Sequence, residues 1–185
     1  MLNMQQACDE AILQAAKQIC VAAVTAPKAC GRDTVACGVL VGEEVRQLAE
    51  EMARMEGEIP NCRPIFVRDA ELVAQCPAVV LLGSRGQSRG LTPCGLCGQE
   101  NCGQCRSVGG HCVFDDLDLG IAIGSACAMA ADLRVDNRVL YTAGMAAMRQ
   151  KLLGEDVTTI MALPLSATNQ NIFFRHKPVC APESK

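Results

Sequence analysis

This chain of 185 residues has few aromatic side chains and no excess of basic residues. It has four Phe, one Tyr and no Trp although half of its residues are apolar, so we expect an aliphatic core. Seventeen Lys and Arg stand against 20 Asp and Glu, which gives a formal net charge of −3. Without a basic stripe to neutralise phosphates or aromatic rings to stack bases, nucleic acid is not an expected partner.

Long hydrophobic runs are missing as well. The longest nearly unbroken apolar stretch, residues 121–131, is well short of the roughly 20 residues that a spanning helix needs. The first ten residues, MLNMQQACDE, lack the charged start and apolar run of a secretory signal. We therefore expect a cytoplasmic protein with no membrane association, folded as a single domain over residues 1–185.

Cysteine is what the chain has in excess. The thirteen cysteines are an odd number, and a reducing cytosol disfavours disulfides, so metal binding is the expected use. Five of them lie within 19 residues, namely Cys94, Cys97, Cys102, Cys105 and Cys112. The other eight are scattered, and we interpret them as small buried apolar residues. So many oxidisable thiols suit an anaerobic metabolism.

Hydrophobic periodicity predicts a fold of both helices and strands. Helices are predicted over residues 4–24, 43–55, 115–133 and 143–153. Strands are predicted over residues 33–41, 63–68, 78–82 and 158–163, with 78–82 in the centre of the sheet. Asp136 and Asn137 are interpreted as a turn, and residues 166–185 as a tail.

The third predicted helix has two further features. Asp115, Asp116 and Asp118 lie in its first turn, where the helix dipole favours acids, and we interpret them as capping residues. Gly120, Gly124 and Ala128 recur every four residues and predict a face that another helix can approach closely.

Residues 83–110 contain no stretch that could bury an apolar face. A structureless loop of this length is uncommon in a compact domain unless it is functional or disordered. A bound metal centre would supply the missing organisation, so this segment is the candidate site.

Three kinds of centre compete for these cysteines. A zinc site would use the pairs Cys94/Cys97 and Cys102/Cys105, but such pairs are usually separated by a dozen or more residues and not by four. A plant-type [2Fe-2S] centre would use Cys97, Cys102 and Cys105 with a remote fourth ligand, for which Cys127 is the next downstream candidate.

A [4Fe-4S] cluster is the centre that we favour. It needs four thiolates around a wide body, and the short spacers between Cys94, Cys97, Cys102 and Cys112 allow the chain to wrap around it. The glycines that follow three of the cysteines, Gly95, Gly98 and Gly103, would permit positive φ angles and leave backbone N–H groups free to bond cluster sulfides. Cys105 either replaces Cys112 as a ligand or stays as an unligated thiol beside the cluster.

The residues just described resemble those of a family of small prokaryotic proteins described as containing a ferredoxin domain. The similarity is carried by Ala26-Pro27-Lys28, Gly31-Arg32-Asp33-Thr34, Cys94-Gly-Leu-Cys97-Gly with Cys102, Cys112-x-Phe114, residues 118–126 and Asp136-Asn-Arg138. The resemblance implies that the cluster motif of the family falls on Cys94, Cys97, Cys102 and Cys112, within a cluster-binding segment at 83–114. The last spacer is shorter here than is usual in the family, and Cys105 is an added thiol.

A more distant similarity is to nitroreductase-like flavoproteins. It rests on the helix that ends at Ala26-Pro27, the small residues after Asp118, and Met161-Ala-Leu-Pro164. It implies an α+β fold with a central, mostly antiparallel sheet flanked by helices, and a homodimer with FMN at its interface. The first helix carries only Lys17 for the basic grip on the flavin phosphate, so FMN is not the favoured cofactor.

Other charged residues give weaker indications. Lys28, Arg32, Arg138 and Arg175 are candidates for contact with an anion, but we interpret them in the first place as solvated loop charges. The two histidines, His111 and His176, belong to no recognisable nucleophile motif.

The expected function is that of an iron–sulfur protein in electron transfer or redox chemistry, with a redox partner that the sequence does not identify. An FMN-dependent, nitroreductase-like oxidoreductase fed by the cluster is one alternative, and a structural zinc module is another. Whether the protein is an enzyme is open at this point, and we expect it to be a homodimer.

Overall fold

The structure is a computed structural model that describes residues 1, 3–60 and 64–174. Its elements in chain order are α1 (Met4–Thr25), β1 (Val35–Val41), α2 (Glu43–Glu58), α3 (Phe66–Val73), β2 (Ala78–Ser84), α4 (Cys102–Ser107), α5 (Val113–Asp132), β3 (Asp136–Asn137), α6 (Tyr141–Arg149) and β4 (Thr159–Ser166). Within the ranges described, no helix is both long enough and apolar enough to cross a membrane.

The four strands form one antiparallel sheet in the order β1-β2-β4-β3. The register pairs Val35 with Ser84 at one end of β1 and Val41 with Ala78 at the other. All seven residues of β2 are buried, because a strand lies on each side of it and helices cover both faces. The prediction of a central strand at this point is confirmed.

One face of the sheet is covered by α1 and α5, which pack against each other mainly through alanines. The contact joins Ala15, Ala16 and Ala23 to Ala122, Ala126 and Ala130. The Ser125 hydroxyl donates to the carbonyl of Ala22 at 2.8 Å and fixes the two helices relative to each other. The small-residue face predicted to receive another helix lies on the opposite side of α5, where Gly120 and Gly124 are exposed and have no neighbour among the described residues that a Cβ would meet.

The other face of the sheet is covered by α2, α3 and α6. Gly144 brings α6 very close to β4, because a Cβ at this position would lie 1.9 Å from the Ile160 carbonyl oxygen. An additional bridge between Leu140 and Ala162 holds the start of α6 against the same strand. Packing helices on both faces gives a layered α+β domain with an aliphatic core, as predicted.

Three local predictions are wrong. The strand predicted over 63–68 is not formed in its described part, where the chain begins α3, and residue 63 itself lies outside the described residues. The turn predicted at Asp136 and Asn137 is the short strand β3, which pairs with Leu165 and Ser166. The helix predicted to reach 153 ends at Arg149, and Lys151 then has a positive φ of 55°.

The hydrophobic core lies apart from the cysteine-rich segment. In the described part of the chain, the two large core clusters on the faces of the sheet take no side chain from residues 85–112. The segment is attached at its two ends, by β2 at Ser84 and by α5 at Val113, and also through Arg89, which pairs with two carboxylates of α5.

Candidate metal centre

The cysteine-rich segment contains a helix that the sequence analysis missed. Asn101 is the N-cap of α4, and its side chain accepts a hydrogen bond from the Gln104 backbone N–H at 3.0 Å. The Gln104 side chain accepts in turn from the Glu100 backbone N–H at 2.7 Å. An N-cap Asn followed three residues later by Gln is a recognised helix start, so the signal was present in the sequence.

The first two cysteines of the segment lie on a turn before α4. The turn is closed by a hydrogen bond from the Gly98 N–H to the Gly95 carbonyl at 2.9 Å, and Gly98 has a φ of 79°. The positive φ that glycine permits after a cysteine is therefore used at Gly98. It is not used at Gly95, or at Gly103, which lies inside α4.

Cys105 lies among three of the four predicted ligands. Its side chain is 2% exposed. Burial, a hydrogen bond with Cys97 and the nearby thiols of Cys97, Cys112 and Cys102 together raise the pKa of Cys105. The neutral thiol donates to the carbonyl of His111 at 3.6 Å. The structure thus brings together Cys97, Cys102, Cys105 and Cys112, whereas Cys94 is not among the residues that shift this pKa.

Cys112 is the N-cap of α5 and is 7% exposed. The Asp115 and Asp116 backbone N–H groups donate to its carbonyl at 2.9 and 3.3 Å. This cysteine therefore leads directly into the long helix. Its thiol is therefore held at the positive end of the helix dipole, where an anion is stabilised.

The clustered cysteines suit an iron–sulfur cluster better than a single metal ion. Among the described residues, no three Cys, His, Asp or Glu side chains converge closely enough to share one metal ion. A [4Fe-4S] cluster does not require this, because each of its four thiolates binds a different iron. Soft thiol donors on short, glycine-containing loops are the ligands that such a cluster uses, so the residues present fit this group.

A buried ion network lies at the start of α5, and it consists of Thr34, Ser84, Arg89, Asp115 and Asp118. Arg89 Nη2 lies 2.9 Å from Asp115 Oδ1 and 2.5 Å from Asp118 Oδ2. It also donates to the Thr34 hydroxyl at 2.8 Å. The Ser84 hydroxyl donates to Asp115 Oδ2 at 2.6 Å, and the Thr34 hydroxyl donates to Asp115 Oδ1.

This network connects four parts of the fold to the helix that begins at Cys112. The Ala29 backbone N–H adds a further contact by donating to both oxygens of Asp118, at 3.0 and 3.1 Å. The interpretation of Asp115 and Asp118 as capping acids is wrong, because both are buried and paired with Arg89. Asp116 alone of the three is exposed. Spacing of i, i+3 places Asp115 and Asp118 on one helix face, which was the only available signal.

The cations suggested as anion contacts have partners within the chain. Lys28 Nζ donates to the carbonyls of Ala23 and Val24 at the end of α1. Arg32 donates to the Arg89 carbonyl, and Arg138 donates to the Phe173 carbonyl at 3.1 Å. Each of these three cations therefore has at least one hydrogen-bond acceptor within the chain. Arg175 and His176 lie outside the described residues.

The scattered cysteines divide into three groups. Cys76 is buried, and Cys20, Cys37 and Cys127 are partly buried against the core, as predicted. Cys30 is exposed, so the prediction is wrong there, and Cys8 is intermediate. Cys62 and Cys180 lie outside the described residues.

Comparison with known proteins gives one relative over nearly the whole chain. An archaeal protein from Archaeoglobus fulgidus, described as "Uncharacterized protein", is 35% identical over 187 residues, which is 96% of this chain and 98% of the relative. Residues 108–175 match the family described as "Uncharacterized protein containing a ferredoxin domain (DUF2148)".

Solved structures with a similar fold include nitroreductases. A nitroreductase with bound FMN from Desulfitobacterium hafniense has a TM-score of 0.58 and 18% identity, covering 99% of this chain and 85% of that one. A nitroreductase family protein from Clostridium novyi has a TM-score of 0.56 and 14% identity, covering 82% and 72%. The fold is therefore nitroreductase-like, and the chain belongs to the family of proteins that contain a ferredoxin domain.

Proposed function

We propose that this protein binds one [4Fe-4S] cluster through Cys94, Cys97, Cys102 and Cys112 and transfers single electrons. The observation that carries the proposal is the placement of the five clustered cysteines at the Gly95–Gly98 turn, on α4 and at the N-cap of α5, with Cys105 and Cys112 buried. Membership of a ferredoxin-domain family supports an iron–sulfur protein. A bound cluster of this kind supplies one-electron exchange, with a potential set by burial and hydrogen bonding.

The chain contributes position and environment. The Gly95–Gly98 turn places Cys94 and Cys97 on one loop, and α4 presents Cys102 at its first position. Burial of Cys105 and Cys112 excludes water from the inner side of this site. The N-terminus of α5 directs partial positive charge to its N-cap, which favours an anionic group at Cys112.

Cys112 is preferred to Cys105 as the fourth ligand because of the direction from which each can reach the cluster. Cys105 lies one helical turn after Cys102 on α4, so the two thiols approach from the same short helix. Cys112 follows a positive-φ turn at Gly109, which has a φ of 66° and lets the chain reverse. The neutral thiol of Cys105 then lies beside the cluster as a hydrogen-bond donor to His111.

The test is purification under anoxic conditions followed by quantitation of iron, acid-labile sulfide, zinc and flavin per chain. About four iron and four sulfide per chain are expected, with negligible zinc. Stoichiometric zinc without sulfide would refute the proposal in favour of a structural zinc module. Stoichiometric flavin beside the cluster would support the alternative function, an FMN-dependent oxidoreductase. This alternative is retained because a nitroreductase with a similar fold has FMN bound.

A further inference from the structure

Arg89 is the one residue of the buried ion network whose charge is positive. Its side chain is 1% exposed, and it pairs with two carboxylates on α5. Asp115 lies three residues after Cys112, so the two residues occupy neighbouring positions on the same face of the helix start. The guanidinium is therefore held next to the helical turn that presents the Cys112 thiol.

Two further observations concern the charge of Arg89 and its unused hydrogen-bond donor. Burial lowers the pKa of Arg89, but the hydrogen bond to Asp118 and the charges of Asp115, Asp118 and Cys112 outweigh burial and raise it. In addition, Arg89 Nε is buried and has no hydrogen-bond partner among the described residues. A buried N–H group that makes no hydrogen bond costs free energy. This donor therefore indicates an acceptor that the described protein atoms do not supply.

We infer that Arg89 is a positioning residue that sets the reduction potential of the proposed cluster by offsetting the buried charges of Asp115 and Asp118. This inference rests on the proposed function. The three formal charges of the network are two negative and one positive, which leaves one net negative charge beside the site. Without Arg89 two negative charges would remain there. Because reduction adds one electron to an already anionic centre, each extra negative charge nearby disfavours it.

The network also suits a positioning role because it fixes the start of α5 from several directions. Asp115 accepts from hydroxyls at the ends of two strands, and Asp118 accepts from the backbone of residue 29. Arg89 joins the two carboxylates, and its own carbonyl accepts from Arg32 at 3.3 Å. The position of Cys112 thus depends on the same contacts that set the local charge.

The experiment compares reduction potentials of anoxically purified variants, measured by dithionite titration with redox mediators and followed by electron paramagnetic resonance. Arg89→Gln should lower the potential, with about a tenfold change in the one-electron equilibrium constant, or 59 mV. Asp118→Asn should raise it, because Asn keeps an oxygen for the Ala29 N–H but loses the negative charge. Arg89→Lys, which keeps the charge, should stay near the wild-type potential.

The matched control is Arg46→Gln on α2. It makes the same change of charge at a side chain that is 61% exposed, near the opposite end of β1 from Thr34. Its potential should equal that of the wild type. Opposite shifts of the reduction potential in Arg89→Gln and Asp118→Asn would support the inference. A purely structural role would change the potential of both variants in the same direction.

Two outcomes separate this inference from the proposed function. A wild-type protein without iron and sulfide would refute the proposed function itself. A wild-type protein with its cluster, together with iron-loaded variants whose potentials do not change, would refute only the role of Arg89. If Arg89→Gln does not fold, Asp118→Asn still decides, because an unchanged or lowered potential in that variant overturns the inference.

Discussion

At the scale of single residues, the ligand set rests on the choice between two neighbouring buried thiols. Cys112→Ser should lose iron after anoxic purification, because the fourth iron then lacks a thiolate. Cys105→Ser should keep a full cluster spectrum, since its hydroxyl can still donate to the His111 carbonyl. Iron content and visible absorption measure both. If only Cys105→Ser loses iron, the ligand set is Cys94, Cys97, Cys102 and Cys105, and the argument from the α5 N-terminus fails with it.

Among the cysteines outside residues 94–112, burial controls how readily the thiol is alkylated. Burial raises the pKa of the Cys76 thiol to about 12, and the thiol donates to the Leu72 carbonyl at 3.3 Å. Because only the thiolate is a nucleophile, Cys76 should resist iodoacetamide at pH 8 in the folded protein. The exposed Cys30 should be alkylated under the same conditions. Peptide mass spectrometry measures both sites, and equal labelling of the two in the folded chain would contradict the structure.

At the scale of elements, the contact between α6 and β4 depends on one glycine. Gly144→Ala would place a Cβ 1.9 Å from the Ile160 carbonyl oxygen, so the helix must move away from the strand. The free energy of unfolding should fall by about 2–3 kcal/mol, as in other overpacked cores. Gly57→Ala in α2 is the control, because a Cβ there meets nothing within 4 Å. That control should be stabilising by about 0.5–1 kcal/mol, and chemical denaturation measures both variants.

The elements that the sequence predicts well are those whose pattern is long and periodic. The start of α1 and that of α2 were both predicted at the residue where the structure has them, and β1 and β2 lie at the predicted positions. The prediction of a strand over residues 63–68 was wrong because its short apolar run leads into the first turn of α3. Phe66, Ala70 and Val73 are buried at helical spacing and would have identified it.

The buried ion network marks the limit of sequence reasoning at this site. Its members come from chain segments that are far apart, with Thr34 81 residues from Asp115 and Arg89 29 residues from Asp118. No local pattern connects such residues, because the antiparallel pairing of β1 with β2 brings them together only in the folded sheet. The cysteines, in contrast, are adjacent in sequence, and their spacing alone was enough to locate the candidate site.

At the scale of the whole molecule, we expect a homodimer. Leu117, Gly120, Ile121, Gly124 and Ala128 form an exposed apolar face of α5 on the side away from α1. A two-fold interface is the commonest way to bury such a face. Light scattering at micromolar concentration should give twice the mass of one chain. Gly124→Glu should reduce this to one chain, whereas Ala53→Glu, at an exposed position of α2, should not. A monomeric wild-type protein would contradict the expectation.

The separation of the hydrophobic core from residues 85–112 has a consequence for the life of the protein in the cell. Iron–sulfur clusters are damaged by oxygen, and in a small metal-dependent domain their loss is followed by unfolding. Here the core clusters on both faces of the sheet take no side chain from that segment, so we expect a chain that has lost the proposed cluster to keep its hydrophobic core. On this expectation, iron and sulfide alone would restore the proposed cluster in the same chain, without refolding of the core.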